Sequence, residues 1–430
     1  MRSPFWRPEN MVHQTISPNT TSAPRASNKS NHMNRLLGTA CDPGQIVGRS
    51  LCVGLLALLA ACASPPARPP APKVPVAVTT VPAPAPTPAM SPASPGEMRL
   101  QAKSRWQPVP WSALPGWDQD RLSEAWVAWL RNCERPGPAL TPVCPEVRQL
   151  AQADRQVQAD WLMRRFQPYR VESLQGAGEG LLTGYFEPSL EATRRPVAGF
   201  SVPLYRLPAT LAQRKPWYTR QEMDSLPEAR AALAGREILW LADPVDALVL
   251  QIQGSGRVRV TEVDGSQRQV RLAYAGTNDQ PYKSVGRWLM DQGAIREGSW
   301  PTIRAWIAQN PAQVQAMLWS NPRVVFFKEE ALGADDSAGP RGAQGVPLTA
   351  GRSIAVDPQS IPYGTPVWLA TPGPLLPLQK LVFAQDTGSA ITGAVRADYF
   401  VGAGPEAGAT AGRLKQPLQL WALWPRQTSP

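Results

Sequence analysis

The spacing of apolar residues predicts a helical start to the globular part of the chain, which runs from about residue 100 to 426. The residues that recur there at helical spacing are Leu122, Ala125, Trp126, Trp129, Leu130 and Cys133. A second helical pattern opens at Pro145, and proline suits the first turn of a helix. The turn-rich stretch "CERPGPALTPVC" separates the two patterns, so we expect a helical hairpin.

The rest of the globular part is dominated by patterns typical of β-strands. Strand-like runs occupy 179–193 and 236–276, and the second run contains a hairpin signal at Asp264-Gly265. Residues 281–319 return to three helical segments, and the last hundred residues are short strands separated by Gly and Pro. Regularly spaced short strands favour a barrel. The predicted fold class is α+β, mainly β, with a β-barrel core.

The segment before the globular part reads as a lipoprotein signal and a linker. An apolar run ending at Cys62 is too short to span a membrane and follows Arg35 and Arg49, as a signal peptide does. Its end, "LAAC", predicts cleavage before Cys62 and lipid attachment to it, although an ordinary signal could also end this way. We therefore expect residues 1–62 to be a signal region in which 1–32 are a misassigned start, because Met33 lies at the usual distance from the run.

Residues 63–99 form a Pro/Ala-rich linker that could hold a domain on the order of 100 Å from its lipid. Ala63 and Ser64 lack the aspartate that commonly retains lipoproteins in the inner membrane. We therefore expect a lipid anchor in the outer membrane of a Gram-negative bacterium, on the periplasmic face.

The distribution of histidine excludes several kinds of chemistry. His13 and His32 both precede Cys62, so the mature chain contains none. Ser-His-Asp triads, Cys-His pairs and histidine zinc sites are excluded, and acid–base work falls to carboxyl groups. We expect no metal and no cofactor. Cys133 and Cys144 would form a disulfide in an oxidising compartment, with two free buried thiols as the alternative.

The net charge of +11, most of it after Cys62, suits an anionic polymer or a membrane surface better than nucleic acid. Three aspartates near the C-terminus are the candidates for chemistry: Asp357, Asp386 and Asp398. Asp386 begins an Asp-Thr-Gly triplet like that of aspartic proteases. Those enzymes need two such loops, and the mature chain has one. A bilobal protease is therefore excluded.

Six blocks, in order, make the chain resemble the membrane-bound lytic murein transglycosylase A family, whose C-terminal part is a three-aspartate ("3D") domain. The blocks are "TGYFEP" (183–188), "DPVDALVLQIQGSGRV" (243–258), "YAGTNDQPYKSVG" (274–286), "NPRVVFFKE" (321–329), "GVPLTAGRSIAVDPQSIPYGTPVW" (345–368) and "DTGSAITGAVRADYFVGAGPEAG" (386–408). One departure is Ser389, where the family usually has a glycine after Asp-Thr-Gly.

The resemblance implies a double-psi-type β-barrel domain built from residues 100–187 and 331–426. A second β-rich domain, residues 188–330, would be inserted, with a groove between the two. Peptidoglycan glycan strands would lie in the groove. Cleavage of the β-1,4 bond between N-acetylmuramic acid and N-acetylglucosamine would leave a 1,6-anhydro end. Cell-wall synthesis proteins are further candidate partners, which the sequence does not identify; nucleic acid is not expected.

The resemblance also implies roles for single residues. It places the catalytic acid at Asp398, with Asp386 nearby as a like charge or an organiser and Asp357 as a further site residue. Each could instead be structural, as a turn or a strand-end aspartate. The remaining predicted substrate-binding residues are Thr183, Tyr185, Gln253, Gly254, Ser255, Gly256, Tyr282 and Lys283. On a strand, Gln253 would face the groove if Gln251 does not.

One carboxyl group is enough for this reaction, because the deprotonated acid can take the proton of the sugar's own C6 hydroxyl. Two rival functions remain. The chain could be an inactive peptidoglycan-binding or scaffold lipoprotein of the same fold, or a hydrolase that leaves reducing ends.

Overall fold

The computed structural model describes residues 97–333, 335 and 337–426. The predicted signal region, the lipid-attachment residue Cys62 and all but the last residues of the predicted linker lie outside this part. Within the described part, none of the helices combines the length and the apolar character that crossing a bilayer requires.

The described residues form seventeen strands and ten α-helices. The strands are β1 (Arg99–Leu100), β2 (Arg105–Pro108), β3 (Phe166–Glu172), β4 (Gly180–Glu187), β5 (Ser189–Thr193), β6 (Val202–Tyr205), β7 (Glu237–Leu241), β8 (Gly256–Thr261), β9 (Gln267–Thr277), β10 (Val325–Ala331), β11 (Ala338–Arg341), β12 (Pro347–Thr349), β13 (Ser353–Val356), β14 (Pro366–Thr371), β15 (Leu378–Asp386), β16 (Arg396–Ala403) and β17 (Lys415–Pro425). The helices are α1 (Leu122–Asn132), α2 (Cys144–Gln149), α3 (Arg155–Arg165), α4 (Arg220–Ser225), α5 (Pro227–Leu233), α6 (Pro244–Gln253), α7 (Val285–Asp291), α8 (Trp300–Gln309), α9 (Val314–Ser320) and α10 (Gly404–Ala411).

A nine-stranded sheet closes on itself to form the barrel. Its order is β1-β2-β3-β17-β14-β15-β13-β16-β4, and the first part of β17 also pairs with β4. Strands β4, β17, β14, β15, β13 and β16 thereby complete a ring. Two of the pairings in the ring, β13–β15 and β16–β4, are parallel and join strands that are not consecutive in the chain. This is the mainly β, barrel-containing fold that the sequence predicts.

Strand β14 explains why the barrel wall reads as continuously apolar. Val367 and Leu369 point into the core inside the barrel, whereas Trp368 and Ala370 pack into a second core outside it. Both faces of the strand are therefore buried, and the alternation expected of a half-exposed strand disappears.

The helices α1, α2 and α3 cover that outer face. Trp129 on α1 lies at the centre, with its ring 5.2 Å from that of Trp126 and 5.3 Å from that of Trp161. A disulfide joins Cys133, just after α1, to Cys144 at the start of α2. The helical hairpin predicted from the apolar spacing is thus present.

A separate six-stranded sheet has the order β10-β9-β8-β5-β7-β6, and all its strands lie between Ser189 and Ala331. The predicted hairpin at Asp264-Gly265 joins β8 to β9, and Gly265 has the positive φ of 84° that such a turn requires. The three predicted helical segments between 281 and 319 appear as α7, α8 and α9. The sheets are compatible with the predicted domain boundaries, which stay a prediction.

The prediction that 236–276 is strand-like throughout is wrong, because 244–253 form helix α6. The side chain of Asp243 accepts a hydrogen bond from the backbone N–H of Val245 at 2.7 Å, and Pro244 occupies the first turn. Gly254, with φ 84°, ends the helix in the left-handed conformation. The apolar run is continuous because α6 is buried on two sides, against the six-stranded sheet and against α7–α9.

Where the chain leaves the barrel, a buried ion cluster holds the two sheets together. The carboxylate of Glu187, the last residue of β4, is fully buried and accepts hydrogen bonds from Arg257 on β8 and Arg271 on β9. Arg271 also donates to the backbone oxygen of Ala338 on β11 at 2.8 Å. The chain crosses from the barrel to the second sheet after β4 and returns before β11. This cluster contacts the chain at both crossings.

Candidate active site

Asp398 lies in the middle of the barrel wall. It stands on β16 between β13 and β4, with Ala355 and Thr183 as its Cα partners. Its half-buried side chain lines a groove. Closure of the barrel thus brings Thr183 and Asp398 together across 215 positions of sequence.

The hydroxyl of Thr183 orients the carboxyl of Asp398. It donates a hydrogen bond to Oδ1 of Asp398 and accepts one from Nη2 of Arg396 at 2.8 Å. Because a guanidinium only donates, the hydroxyl is left to direct its own proton to the carboxyl. Within the described part of the chain, no hydrogen bond reaches Oδ2 of Asp398. That oxygen is the one open to a ligand in the groove.

Asp386, the last residue of β15, is held at both oxygens. The backbone N–H of Ala343 donates to Oδ1 and the hydroxyl of Tyr185 donates to Oδ2, each at 2.9 Å. Burial and the adjacent Asp386 raise the pKa of Tyr185 well above its ordinary value, so the phenol remains protonated and able to donate. Asp386 therefore has less freedom than Asp398 to meet a substrate.

Burial raises the pKa of both carboxyls. For Asp386, burial is the largest cause and the charge of Asp398 adds to it; hydrogen bonds to the carboxylate oppose them, and the pKa rises to about 6. For Asp398, burial raises the pKa against the hydrogen bond from Thr183 and the charge of Arg396. Two nearby carboxyls titrate as a pair, and repulsion favours states in which one of them keeps a proton.

The carboxyls face a groove between the barrel and the segment that carries the second sheet. It consists of two adjoining cavities of about 400 and 470 Å³, a size typical of sites for small molecules and short segments of polymers. The barrel side contributes Thr183, Tyr185, Asp386 and Asp398. The opposite side contributes Gln251, Gln253, Tyr282, Asn321 and Arg323.

Gln251 and Gln253 both reach the groove because they lie in the last turn of α6. The side-chain amide oxygen of Gln253, Oε1, accepts a hydrogen bond from the backbone N–H of Phe186 on β4 at 3.0 Å. The prediction that only one of the two would face the groove is wrong, since it assumed the alternation of a strand. The helix end instead places both side chains across from the barrel.

Comparison with known proteins identifies the family. Residues 181–328 match the profile of the MltA specific insert domain, and residues 352–424 match the 3D domain. Membrane-bound lytic murein transglycosylase A of Vibrio cholerae is 32% identical over 260 residues, which are 57% of this chain and 66% of that protein. The protein of the same name from Escherichia coli K12 is 32% identical over 277 residues, 61% of this chain and 70% of that protein.

The chain belongs to the membrane-bound lytic murein transglycosylase A family. The resemblance stated from the sequence is thereby confirmed. Among solved structures, the lytic transglycosylase LtgG of Burkholderia pseudomallei is similar at 41% identity and a TM-score of 0.53, over 79% of this chain and 100% of that one. MltA from Neisseria gonorrhoeae is similar at 28% identity and a TM-score of 0.64, over 79% and 97%. These likenesses confirm the predicted fold class.

Several residues predicted from the family resemblance line the groove in this family member. Thr183, Tyr185, Gln253 and Tyr282 line the cavity that holds Asp386 and Asp398. Gly254 and Ser255 line the adjoining cavity. Gly256 lines neither, and its lack of a side chain has a packing reason: a Cβ there would come within 2.5 Å of Leu250 Cδ1.

Lys283 and Asp357 are not among the residues that line the two cavities, and their predicted substrate contacts stay predictions. Lys283 is exposed, and its backbone N–H donates to the side chain of Asn321 at 3.2 Å. The carboxylate of Asp357 is buried and accepts hydrogen bonds from Lys103 at 3.0 Å and from the backbone N–H of Gly393 at 2.9 Å. Although burial raises the pKa of Asp357, these hydrogen bonds bring it below its ordinary value. Asp357 thus stays ionised and organises a turn.

Among the groove residues that sequence reasoning missed are Arg396, Arg323 and Trp300. Arg396 lies two positions before Asp398 on β16, so its side chain shares the same face of the strand. This spacing could have signalled its role. Arg323 and Trp300 also line the groove, but they reach it from a loop and from the start of α8, where no sequence period predicts a direction.

Proposed function

We propose that the chain is a peptidoglycan lytic transglycosylase that cleaves the β-1,4 bond between N-acetylmuramic acid and N-acetylglucosamine. The product would carry a 1,6-anhydro ring on N-acetylmuramic acid. Membership of the family makes the chain an enzyme, a lyase that acts on peptidoglycan. The bond cleaved and the mechanism are the parts that we add.

The observation that carries the mechanism is the difference between the two carboxyls. Both oxygens of Asp386 accept hydrogen bonds from the protein, whereas Asp398 has Oδ2 directed to the groove without a partner in the described residues. A general acid needs an oxygen within reach of the leaving group and a pKa high enough to hold its proton. Asp398 meets the first condition, and burial shifts its pKa in the direction that the second requires.

In the first half of the reaction, the proton on Oδ2 of Asp398 moves to the glycosidic oxygen, and the bond from that oxygen to C1 of N-acetylmuramic acid breaks. In the second half, the C6 hydroxyl of the same sugar attacks C1 and gives its proton to the Asp398 carboxylate. The acid is regenerated and no water is consumed. The two carboxyls titrate as a pair in which repulsion favours one remaining proton, and we assign that proton to Asp398. No second carboxylate has to activate water, in contrast to ordinary glycosidases.

We further propose that the chain acts at the periplasmic face of the outer membrane, anchored through lipid on Cys62. The family name, membrane-bound, and the sequence pattern before Cys62 support this location. Residues 100–187 with 331–426 would then be the barrel domain, and 188–330 the inserted domain that supplies the other side of the groove. The separation of the two sheets supports these boundaries.

The proposal is tested by digesting purified sacculi with the purified chain and analysing the soluble products by mass spectrometry. We expect 1,6-anhydro-muropeptides from the wild type and a loss of more than about a thousandfold in rate from Asp398→Asn, since removing the acid removes both proton transfers. The matched control is Asp291→Asn, the same change on the exposed surface of α7, which should retain full activity.

Each of the other outcomes has a definite meaning. Products with reducing ends would identify a hydrolase instead. Binding of sacculi without any product would identify the inactive scaffold. Retained activity in Asp398→Asn would move the acid to another residue.

A further inference from the structure

We propose that Arg220 is a positioning residue that turns the amide N–H groups of Gln251 into the groove, where they bind the acetamido carbonyl of an N-acetylated sugar. The inference rests on the proposed function, because it names the substrate group that this side of the groove selects. Arg220 itself does not line the groove; it acts from behind, through Gln251.

Arg220, the first residue of α4, makes three side-chain hydrogen bonds. Nη2 donates to Oε1 of Gln251 at 2.6 Å and to the backbone oxygen of Arg323 at 2.6 Å, and Nε donates to the backbone oxygen of Asn321 at 3.0 Å. The same guanidinium therefore joins the end of α6 to the loop before β10. All three partners belong to residues that line the groove.

The chemistry of the guanidinium decides which way the amide of Gln251 points. An amide oxygen and nitrogen have nearly the same shape, so an isolated glutamine could face either way. A guanidinium has no acceptor, so the atom that contacts Arg220 must be the oxygen. The NH₂ group of Gln251 is then turned away from Arg220, on the side of the groove.

Gln253 has the same polarity for a similar reason. Its oxygen accepts from the backbone N–H of Phe186, so its NH₂ group is also left over. Within the described residues, neither NH₂ group has a hydrogen-bond partner. This side of the groove therefore offers two amide donors, and a ligand must supply acceptors to match them.

The arrangement is costly, which argues that it serves binding rather than stability. Burial lowers the pKa of Arg220 to about 10, partly offset by the charge of Asp224, and no carboxylate forms an ion pair with Arg220 in the described part of the chain. A half-buried cation held only by neutral oxygens costs desolvation energy that an apolar side chain would not. What the cation provides in return is a fixed direction for the amide of Gln251.

Fixed donors discriminate between sugars that differ in their acceptors. An acetamido group extends a carbonyl oxygen away from the sugar ring, whereas the hydroxyl at the same position of a β-1,4 glucan is shorter and does not reach as far toward the donor. A site built to hydrogen-bond one group disfavours an analogue that lacks it, because its buried polar atoms are left unpaired. Gln251 is thus assigned to recognition of N-acetylated glycan.

The test measures binding of two neutral probes, hexa-N-acetylchitohexaose and cellohexaose, by titration calorimetry with chains that carry Asp398→Asn to prevent turnover. The informative variant is Gln251→Glu, which keeps the shape and the contact with Arg220 but replaces the NH₂ donor by an acceptor. We expect it to weaken chitohexaose binding about 5- to 30-fold, the equivalent of one hydrogen bond, and to change cellohexaose binding less than about twofold.

Arg220→Met should weaken chitohexaose binding by a similar factor, because the amide is then free to turn. Arg220→Lys should restore part of the loss, since an ammonium can still donate to the glutamine oxygen. The effect must pass through the amide, so Arg220→Met should add no further loss in a chain that already carries Gln251→Ala. Urea midpoints of each variant separate this from unfolding; if Arg220→Met does not fold, the two Gln251 variants decide.

Unchanged selectivity between the two hexamers in Gln251→Glu would overturn the proposal. So would an additive effect of Arg220→Met and Gln251→Ala. The sacculus digest distinguishes these failures from failure of the proposed function. If the wild type produces anhydro ends but binds both hexamers equally, only the assignment of Gln251 and Arg220 is wrong; if it produces none, the proposed reaction is wrong.

Discussion

Replacing Asp386 by asparagine should stabilise the fold at neutral pH. The asparagine has the same shape and can keep both contacts, with its oxygen accepting from the backbone N–H of Ala343 and its NH₂ group donating to the hydroxyl oxygen of Tyr185. What the substitution removes is a charge that burial disfavours. In the folded chain the pKa of Asp386 rises from 3.8 to about 6.

The sign and the pH window follow from this direction. A carboxyl whose pKa is raised by folding favours the folded state at low pH, where it is protonated in both states, and this contribution is lost as pH rises through the folded value. Above about pH 6 the ionised Asp386 therefore costs stability, by about 3 kcal/mol for a rise from 3.8 to about 6. An asparagine at this position does not titrate, so the difference from wild type should grow between about pH 3.8 and about pH 6 and stay constant above it.

The assay is urea unfolding of wild type and Asp386→Asn at pH 4 and at pH 7.5, followed by tryptophan fluorescence. We expect the free energy of unfolding of the variant to exceed that of wild type by about 2–3 kcal/mol at pH 7.5, with a much smaller difference at pH 4. The matched control, Asp291→Asn on the exposed surface, should show no such pH dependence. An equal or lower stability of Asp386→Asn at pH 7.5 would refute the claim that burial disfavours this carboxylate.

Two further predictions concern groups near the site. Tyr185→Phe removes a donor that lowers the pKa of Asp386, so the acidic limb of the kcat/KM profile, which requires Asp386 to be ionised, should move up by about 1–2 pH units, whereas Tyr399→Phe, which loses a hydrogen bond to a backbone carbonyl, should leave it in place. Glu187→Gln leaves the buried guanidinium of Arg271 without its carboxylate and should lower the free energy of unfolding by about 3–5 kcal/mol in urea titrations, against about 1 kcal/mol or less for the exposed Glu191→Gln. A shift in the Tyr399→Phe profile, or equal losses for the two glutamates, would contradict these expectations.

Some strands could be predicted from the sequence because their apolar residues alternate with polar ones or form a short apolar run. The barrel wall alone determines which of their side chains are buried. Helix α6 could not, since burial on two sides removed the apolar period that distinguishes a helix from a core strand. Asp243 and Pro244 at its start, and Gly254 at its end, carried the missing signal. These capping residues, and not the apolar run, predict the helix.

The candidate site divides in the same way. Asp398 and Thr183 could be proposed from motifs, but their contact depends on a parallel pairing between distant strands that no local pattern encodes. Asp357 shows the opposite limit of prediction from motifs. It was grouped with Asp386 and Asp398 as a candidate for chemistry, but its carboxylate stabilises a turn by accepting a hydrogen bond from the backbone N–H of Gly393. Arg220, which we propose orients Gln251, belongs to none of the quoted motifs. Only its hydrogen bonds indicate this role.

Strand β17 pairs with β4 on one edge and with β14 on the other, and this double pairing closes the ring. The partners of β17 lie far from it in sequence, and non-local pairings of this kind form slowly. A polypeptide without residues 415–425 would leave the ring open, although β16 would still pair Asp398 with Thr183 on β4. The wall that carries the two carboxyls is therefore complete only when β17 has paired on both of its edges.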